Sequence, residues 1–371
     1  MIVGIPREIK VRESRVGMVP AAVRELTARG HRVLVEHDAG AQAGFPDDMY
    51  LAAGAEVAAD AAGVFSAAEL LVKVKEPQPA ERAMLRPGQM LFTYLHLAPD
   101  PEQTRELLAS GATCIAYETV TAPGGRLPLL APMSEVAGRM SIQVGAHFLE
   151  KPHGGAGVLL AGVPGTAPGR VVILGSGTVG THAAAMAVGT GADVTVFGRN
   201  LESLRALWRQ LGARVRAVHA TSELIEQACV EADLVVGAVL VPGAAAPRLV
   251  GAHTVQAMKP GSVIVDVSID QGGCVETARP TTHDDPVVVV DGVLHYGVTN
   301  MPGAVPRTSA LALSAATLPF VLALAGHGPS ALRADPHLRA GLNIHAGALT
   351  CLPVAEALGL PYTEAESALG T

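Results

Sequence analysis

The stretch Arg170–Asn200, RVVILGSGTVGTHAAAMAVGTGADVTVFGRN, decides the fold. Its apolar run Val171–Leu174 is short enough for a buried parallel strand and leads into Gly175-Ser176-Gly177-Thr178-Val179-Gly180. An alanine-rich, helix-forming segment follows, and a second β-branched run, Val194–Phe197, closes a strand, glycine turn, helix, strand unit. In such a unit Gly175 permits the tight turn, Gly177 lets a pyrophosphate approach the backbone, and Gly180 lets helix and strand pack closely. The phosphates of a dinucleotide then lie at the helix N-terminus, beside Thr178 and Val179.

The residues after the second strand bear on which dinucleotide is bound. A site for NAD(H) usually places Asp or Glu there to accept hydrogen bonds from the ribose hydroxyls. This chain has Gly198-Arg199-Asn200. Loss of the carboxylate removes repulsion against a 2′-phosphate, and Arg199 offers a planar cation able to bind one. The pattern favours NADP(H) over NAD(H), and Asp at both 198 and 199 is expected to weaken NADPH more than NADH. The alternative is that Arg199 is a solvated loop residue in a site that accepts either cofactor.

With 371 residues, 49% hydrophobic and 16% charged, the chain can build two domains, each with its own core. A net charge of −7 without any basic run argues against a nucleic-acid partner, because neutralising phosphates takes clustered Lys and Arg. The four cysteines, Cys114, Cys229, Cys274 and Cys351, form no C-x-x-C pair, so neither a disulfide framework nor a zinc knuckle is indicated. The N-terminal MIVGIPREIK reaches Arg7 too soon for a signal peptide, and a cytoplasmic location is expected. Thr308–Leu332 contains no Asp, Glu, Lys or Arg and is long enough for a bilayer, but Ser309, Ser314, Thr317, Pro319 and His327 interrupt it. A buried helix at a contact between subunits is the better reading, with no membrane partner.

Strand-like runs at Ile2–Ile5, Arg32–Glu36, Leu70–Val74, Met90–Tyr94 and Thr113–Tyr117 alternate with helical segments at Pro20–Arg29 and Pro101–Ser110. A helix over Pro132–Leu149 connects the halves. Further strands are expected within Ala232–Val241, Ser262–Val267 and Val287–Val290, and the chain turns helical again after Pro306. The implied fold is α/β, with two Rossmann-like domains of mostly parallel sheet and the active site in the interdomain cleft. Residues 1–130 plus 306–371 would form the substrate-binding, catalytic domain and 131–305 the dinucleotide-binding domain.

Polar residues gather just after the strands, where open α/β sheets bind ligands. A dehydrogenase needs a cationic anchor, a proton carrier and a dry path for hydride, and Arg15, Lys75, Tyr94, His96 and Asp270 could supply the first two. Each has a plainer reading: Lys75 as a solvated strand end, His96 as a hydrogen-bonded structural imidazole, Asp270 as a turn cap, Arg279 as surface.

Taken in order, MIVGIPREIK with Arg15-Val16, LLVKVKEP (70–77), LFTYLHLA (91–98), IAYETV (115–120), LPLLAPMSEVAGR (127–139), GSGTVG, GAVLVPGAAAP (237–247), DVSIDQGGCVETARPTTHDDP (266–286) and TNMPGAVPRTS (299–309) resemble bacterial L-alanine dehydrogenases. More distantly they resemble the NAD-binding subunit of proton-translocating transhydrogenases. The resemblance implies reversible oxidative deamination of L-alanine to pyruvate and ammonium. It implies His96 and Asp270 as the acid–base pair, with Arg15, Lys75, Tyr94, Met133 and Asn300 binding substrate. On the same basis the cofactor would meet Ser134, Gly175, Gly177, Thr178, Val179, Gly180, Gly198, Arg199, Asn200, Val239, Leu240, Val267, Asp270, Arg279, Val298, Asn300 and Met301.

Three departures from the family pattern stand out. Gly198 replaces its usual Asp, and Ser203 and Ala220 replace a basic residue and a serine at the adenosine end. Ala323 stands one turn before His327, where some relatives have an acidic residue able to pair with that histidine at a subunit-interface metal, so no metal is expected. A homo-oligomer, usually a hexamer, is implied. Competing readings are a dehydrogenase of the same fold using NAD or another small amino acid, and a transhydrogenase-like nucleotide-binding subunit.

Overall fold

Residues 1–239 and 246–370 are described by a computed structural model, and they divide into two units: Met1–Met133 with the chain from Val305 onward, and Ser134–Ala304. The first unit begins with strands β1 (Ile2–Ile5), β2 (Arg32–Glu36), β3 (Glu56–Ala58), β4 (Leu70–Val72), β5 (Met90–Thr93) and β6 (Thr113–Ala116). They lie in the order 3-2-1-4-5-6, every pair parallel. Parallel sheets bury both faces, and β4 shows it: Leu70 and Val72 belong to one apolar core, while Leu71 points into the other with Val64, Phe65 and Leu91.

The second unit carries β7 (Arg170–Leu174), β8 (Asp193–Gly198), β9 (Val215–His219), β10 (Leu234–Gly237), β11 (Val263–Asp266), β12 (Val287–Val290) and β13 (Val293–Tyr296). Their order is 12-13-11-10-7-8-9, parallel throughout except for the β12–β13 hairpin. The order reverses between β7 and β10, which makes the carboxyl ends of these two strands a topological switch point.

The chain then returns to the first unit. The helix Pro306–His327 lays Ala310, Leu313, Val321 and Leu324 into the core beneath β1 and β4. It is long and apolar enough to cross a membrane, yet Ser309, Ser314 and Thr317 are buried within the unit, and Ser314 Oγ accepts the Val19 N–H at 3.2 Å. Beyond it, β14 (Leu342–His345) pairs antiparallel with β6, and β15 (Ala348–Leu349) continues the edge. The expectation that the chain turns helical again after Pro306 did not include these two strands; the apolar–polar alternation of LNIH lasts only four residues before Ala346-Gly347 ends it. β3 and β9 were likewise unread, being short or broken by charge. Several strands stop one or two residues early: Val74, Tyr94 and Tyr117 lie beyond the ends of β4, β5 and β6, on the loops that carry the polar side chains.

Candidate active site

In the first unit, the residues following the strands converge. Arg15 is buried, 2% exposed, and its plane is fixed by Glu13, whose carboxylate accepts from Nε at 2.6 Å and from Nη2. Its Nη1 donates to Met133 Sδ at 3.0 Å. Burial disfavours the guanidinium's charge, but the Glu13 contact outweighs it and holds the pKa above the ordinary arginine value. Tyr94 and His96 lie parallel, ring centroids 5.8 Å apart, with Tyr117 set edge-on to Tyr94. The Tyr94 hydroxyl donates to the Leu129 carbonyl at 2.5 Å, so the aromatic face is what this residue presents.

His96 adopts a left-handed backbone, φ 47°, uncommon for a residue with a Cβ and costly unless the surroundings hold it. Glu118 does so: its carboxylate accepts the His96 N–H at 2.7 Å and the Leu95 N–H at 3.1 Å, and stands 3.8 Å from His96 Nδ1. The imidazole is 44% exposed.

The turn bearing Lys75 rests on a buried charge cluster. Lys73 is wholly buried between Glu8 Oε2, at 3.1 Å, and Glu81 Oε1, at 2.7 Å. Glu8 also accepts the Val74 N–H at 2.6 Å, and Glu81 the Gln78 N–H at 2.7 Å, so both ends of the turn are tied down. Burial raises the Glu8 pKa; burial also opposes the Lys73 charge, but the two carboxylates more than compensate and hold that lysine above its ordinary value. Lys75 itself has no hydrogen bond or ion pair at its ammonium among the described residues. Desolvation and then the neighbouring Arg15 charge lower its pKa. An ammonium held half-buried beside a guanidinium is set up to receive an anionic or carbonyl ligand.

In the second unit, the candidate cofactor residues lie along the carboxyl edge of the sheet. Gly175 has φ 123°, and a Cβ there would stand 2.3 Å from the Ala238 carbonyl oxygen. A Cβ on Gly180 would come within 1.9 Å of the Gly175 carbonyl, whereas one on Gly177 would meet nothing within 4 Å. The helix Thr178–Thr190 starts at Gly177 without a side-chain cap. The turn thus has the tight crossing, the close packing and the open backbone face that a pyrophosphate requires, and a dinucleotide fits.

Gly198 ends β8, and Arg199 and Asn200 follow as exposed residues; Arg199 makes no ion pair among the described residues. Val239 follows β10 and Val267 follows β11, and Ser268 bridges the two loops by accepting the Val239 N–H at 3.0 Å and donating to its carbonyl at 2.8 Å. Leu240 lies outside the described residues. Asp270 is exposed on the short 3-10 turn Val267–Gln271, and Asp266 anchors that turn's start by accepting the N–H groups of Ser268, Cys274 and Val275. Arg279 is exposed, Val298 and Met301 are buried, and Asn300 takes a left-handed backbone, φ 57°. Ser134 sits in the first turn of the helix Ala131–Phe148.

Glu13, Glu118, Asp266 and Ser268 went unassigned in the sequence, although IAYETV and DVSIDQ contain three of them. Polar residues one to three places after a buried strand were the available signal. The cavity of about 360 Å³ among Arg170, Asp193, Arg216 and Glu231 opens at the opposite, amino edge of the second sheet and belongs to neither group.

Two units of mostly parallel sheet, one with a dinucleotide turn and the other with two neighbouring cations and a clamped imidazole on the loops after its strands, define an oxidoreductase of the amino-acid dehydrogenase class. The chain belongs to the alanine dehydrogenase/PNT family, whose N-terminal domain matches residues 4–137 and whose C-terminal domain matches residues 141–351. It is 57% identical over 371 residues to the alanine dehydrogenase of Halomonas elongata, covering all of both chains. A solved L-alanine dehydrogenase superposes with a TM-score of 0.94 at 53% identity, over 97% of this chain and 99% of that one. A transhydrogenase from Sinorhizobium meliloti superposes with a TM-score of 0.83 at 25% identity, over 94% and 100%.

Proposed function

We propose that this protein is an NADP(H)-dependent alanine dehydrogenase, interconverting L-alanine with pyruvate and ammonium. The observation that carries the substrate half is the Arg15–Lys75 pair: two cations, one locked in plane by Glu13 and one without a partner among the described residues, suit a small 2-oxo acid. Arg15 Nη1 donates to a thioether, a weak acceptor beside which a substrate carboxylate would be the stronger partner. Lys75 then takes the oxo oxygen and stabilises charge developing there. A bound nicotinamide would supply the acceptor for the hydride of the alanine α-carbon. His96 and Asp270 take and return the protons as the imine gains water and releases ammonia. Tyr94 backs the imidazole; Met133 and Asn300 would bind the substrate, and Met301 and Val298 would meet the nicotinamide cofactor.

Gly175, Gly177, Thr178, Val179 and Gly180 would hold the pyrophosphate. Ser134, Val239, Leu240, Val267 and Arg279 would border the rest of the cofactor, with Gly198, Arg199 and Asn200 at the adenosine ribose. The turnover needs no metal, and Ala323 offers no ligand atom beside His327. We assign the enzyme to the cytoplasm as a homo-oligomer, a hexamer by the family resemblance; the native mass of the purified protein tests that count.

The direct test is the initial rate of pyruvate amination at saturating ammonium with NADPH and NADH side by side. A higher kcat/KM with NADPH is expected. Preference for NADH would keep the reaction and reject the cofactor assignment, while no turnover with either would reject alanine as substrate.

A further inference from the structure

Gly198 closes β8, and the space its side chain would occupy is already filled. A Cβ there would stand 2.3 Å from Ser176 Oγ, 2.9 Å from Ser176 Cβ and 3.1 Å from Leu204 Cδ2. Ser176 belongs to the phosphate turn, twenty-two residues away in sequence, and Leu204 is buried. Gly198 has an ordinary backbone conformation, so the obstacle to any other residue is this contact and not strain.

The hydroxyl that fills the space is itself held. Ser176 Oγ lies 2.6 Å from Ser203 Oγ, and Ser203 donates its own proton to the Asn200 carbonyl at 2.8 Å. Ser203 has only one proton to give, so Ser176 is the donor between the two. The Asn200 side chain caps the helix Leu201–Leu211 by accepting the N–H groups of Glu202 and Ser203, which fixes the turn below. The Glu202 carboxylate is paired with Arg205 Nη1. What this corner offers a ligand is therefore two serine hydroxyls and the exposed Arg199 cation.

We propose that Ser176, supported by Ser203, is the specificity-determining contact at the 2′ position of the adenosine ribose. Its hydroxyl turns to donate to a 2′-phosphate, a charge-assisted bond, and its bulk bars the carboxylate at position 198 that would read a ribose 2′-hydroxyl. This rests on the NADP(H) reading above and goes beyond it in one respect. The two positions are coupled, so Asp at 198 and 199 without a change at 176 does not build an NADH site.

Calorimetric titration of the full-length protein tests this without turnover, using adenosine 2′,5′-bisphosphate, AMP, NADPH and NADH. Ser176→Gly and Ser176→Ala should each weaken the bisphosphate about tenfold, the scale of one hydrogen bond to a charged group, and leave AMP unchanged. Gly198→Asp alone should weaken all four ligands. Ser176→Gly with Gly198→Asp should recover AMP and NADH while the bisphosphate stays weak; Ser176→Ala with Gly198→Asp should not, because alanine keeps the obstructing Cβ. An unchanged ratio of bisphosphate to AMP in the Ser176 variants, or NADH binding gained by Gly198→Asp alone, would overturn the proposal. If the unmodified protein binds AMP as well as the bisphosphate, the NADP(H) reading fails, and the response to Gly198→Asp still decides whether Ser176 blocks that position.

Discussion

Asp270→Asn is expected to lower kcat for alanine oxidation by about 10²–10⁴-fold, the range of a lost general acid–base group. Asparagine keeps the size of the side chain and its capacity to hold the turn, and removes only the basic carboxylate. Asp266 is unaltered and still anchors the turn by accepting the N–H groups of Ser268, Cys274 and Val275. The loss is read in kcat at saturating cofactor, which separates the proton path from any effect on cofactor binding. His96→Asn should give a loss of similar size. The double variant should fall well short of the product of the two, as groups that act on one proton do. A drop in kcat smaller than about tenfold for Asp270→Asn would remove it from the proton path.

Lys73→Met should destabilise the protein by about 3–5 kcal/mol, the cost of leaving one side of a buried ion pair without its partner. Methionine fills the space of the lysine stem but leaves Glu8 and Glu81 facing one another away from water. Adding Glu8→Gln and Glu81→Gln should return much of the loss, since the amides are neutral and retain an oxygen for the Val74 and Gln78 N–H groups. The thermal midpoint followed by circular dichroism reads the change; a midpoint unmoved by Lys73→Met would show that water reaches the cluster. Because Glu8 and Glu81 tie down the turn of Lys75, the single variant should also raise the KM for pyruvate.

The dinucleotide unit was legible because its signals are local. Two apolar runs, three glycines at fixed spacing and an alanine-rich helix all fall within thirty-one residues, and each answers to a steric requirement. The candidate substrate residues were visible as polar side chains at strand ends. Contacts between distant residues were not visible. Nothing in the composition of IAYETV indicates that Glu118 clamps the backbone of His96, or in PREIK that Glu8 supports the turn of Lys75. Gly198 shows the same limit from the other side: the missing carboxylate is plain in the sequence, whereas the serine that takes its place becomes visible only when β7 and β8 lie side by side.

The return of the chain to its first sheet bears on how the protein is made. A ribosome releases Met1–Met133 long before the helix Pro306–His327 and β14 exist, so the first six strands emerge without Leu313, Val321 and Leu324 to cover their core, and β6 emerges without its antiparallel neighbour. Ser134–Ala304, in contrast, is a continuous segment that can complete its own sheet as it leaves the exit tunnel. The later-synthesised unit is thus free to fold first, and the earlier one must wait with apolar surface and an open strand edge exposed. The interval most exposed to aggregation and chaperone binding is the translation of those intervening residues.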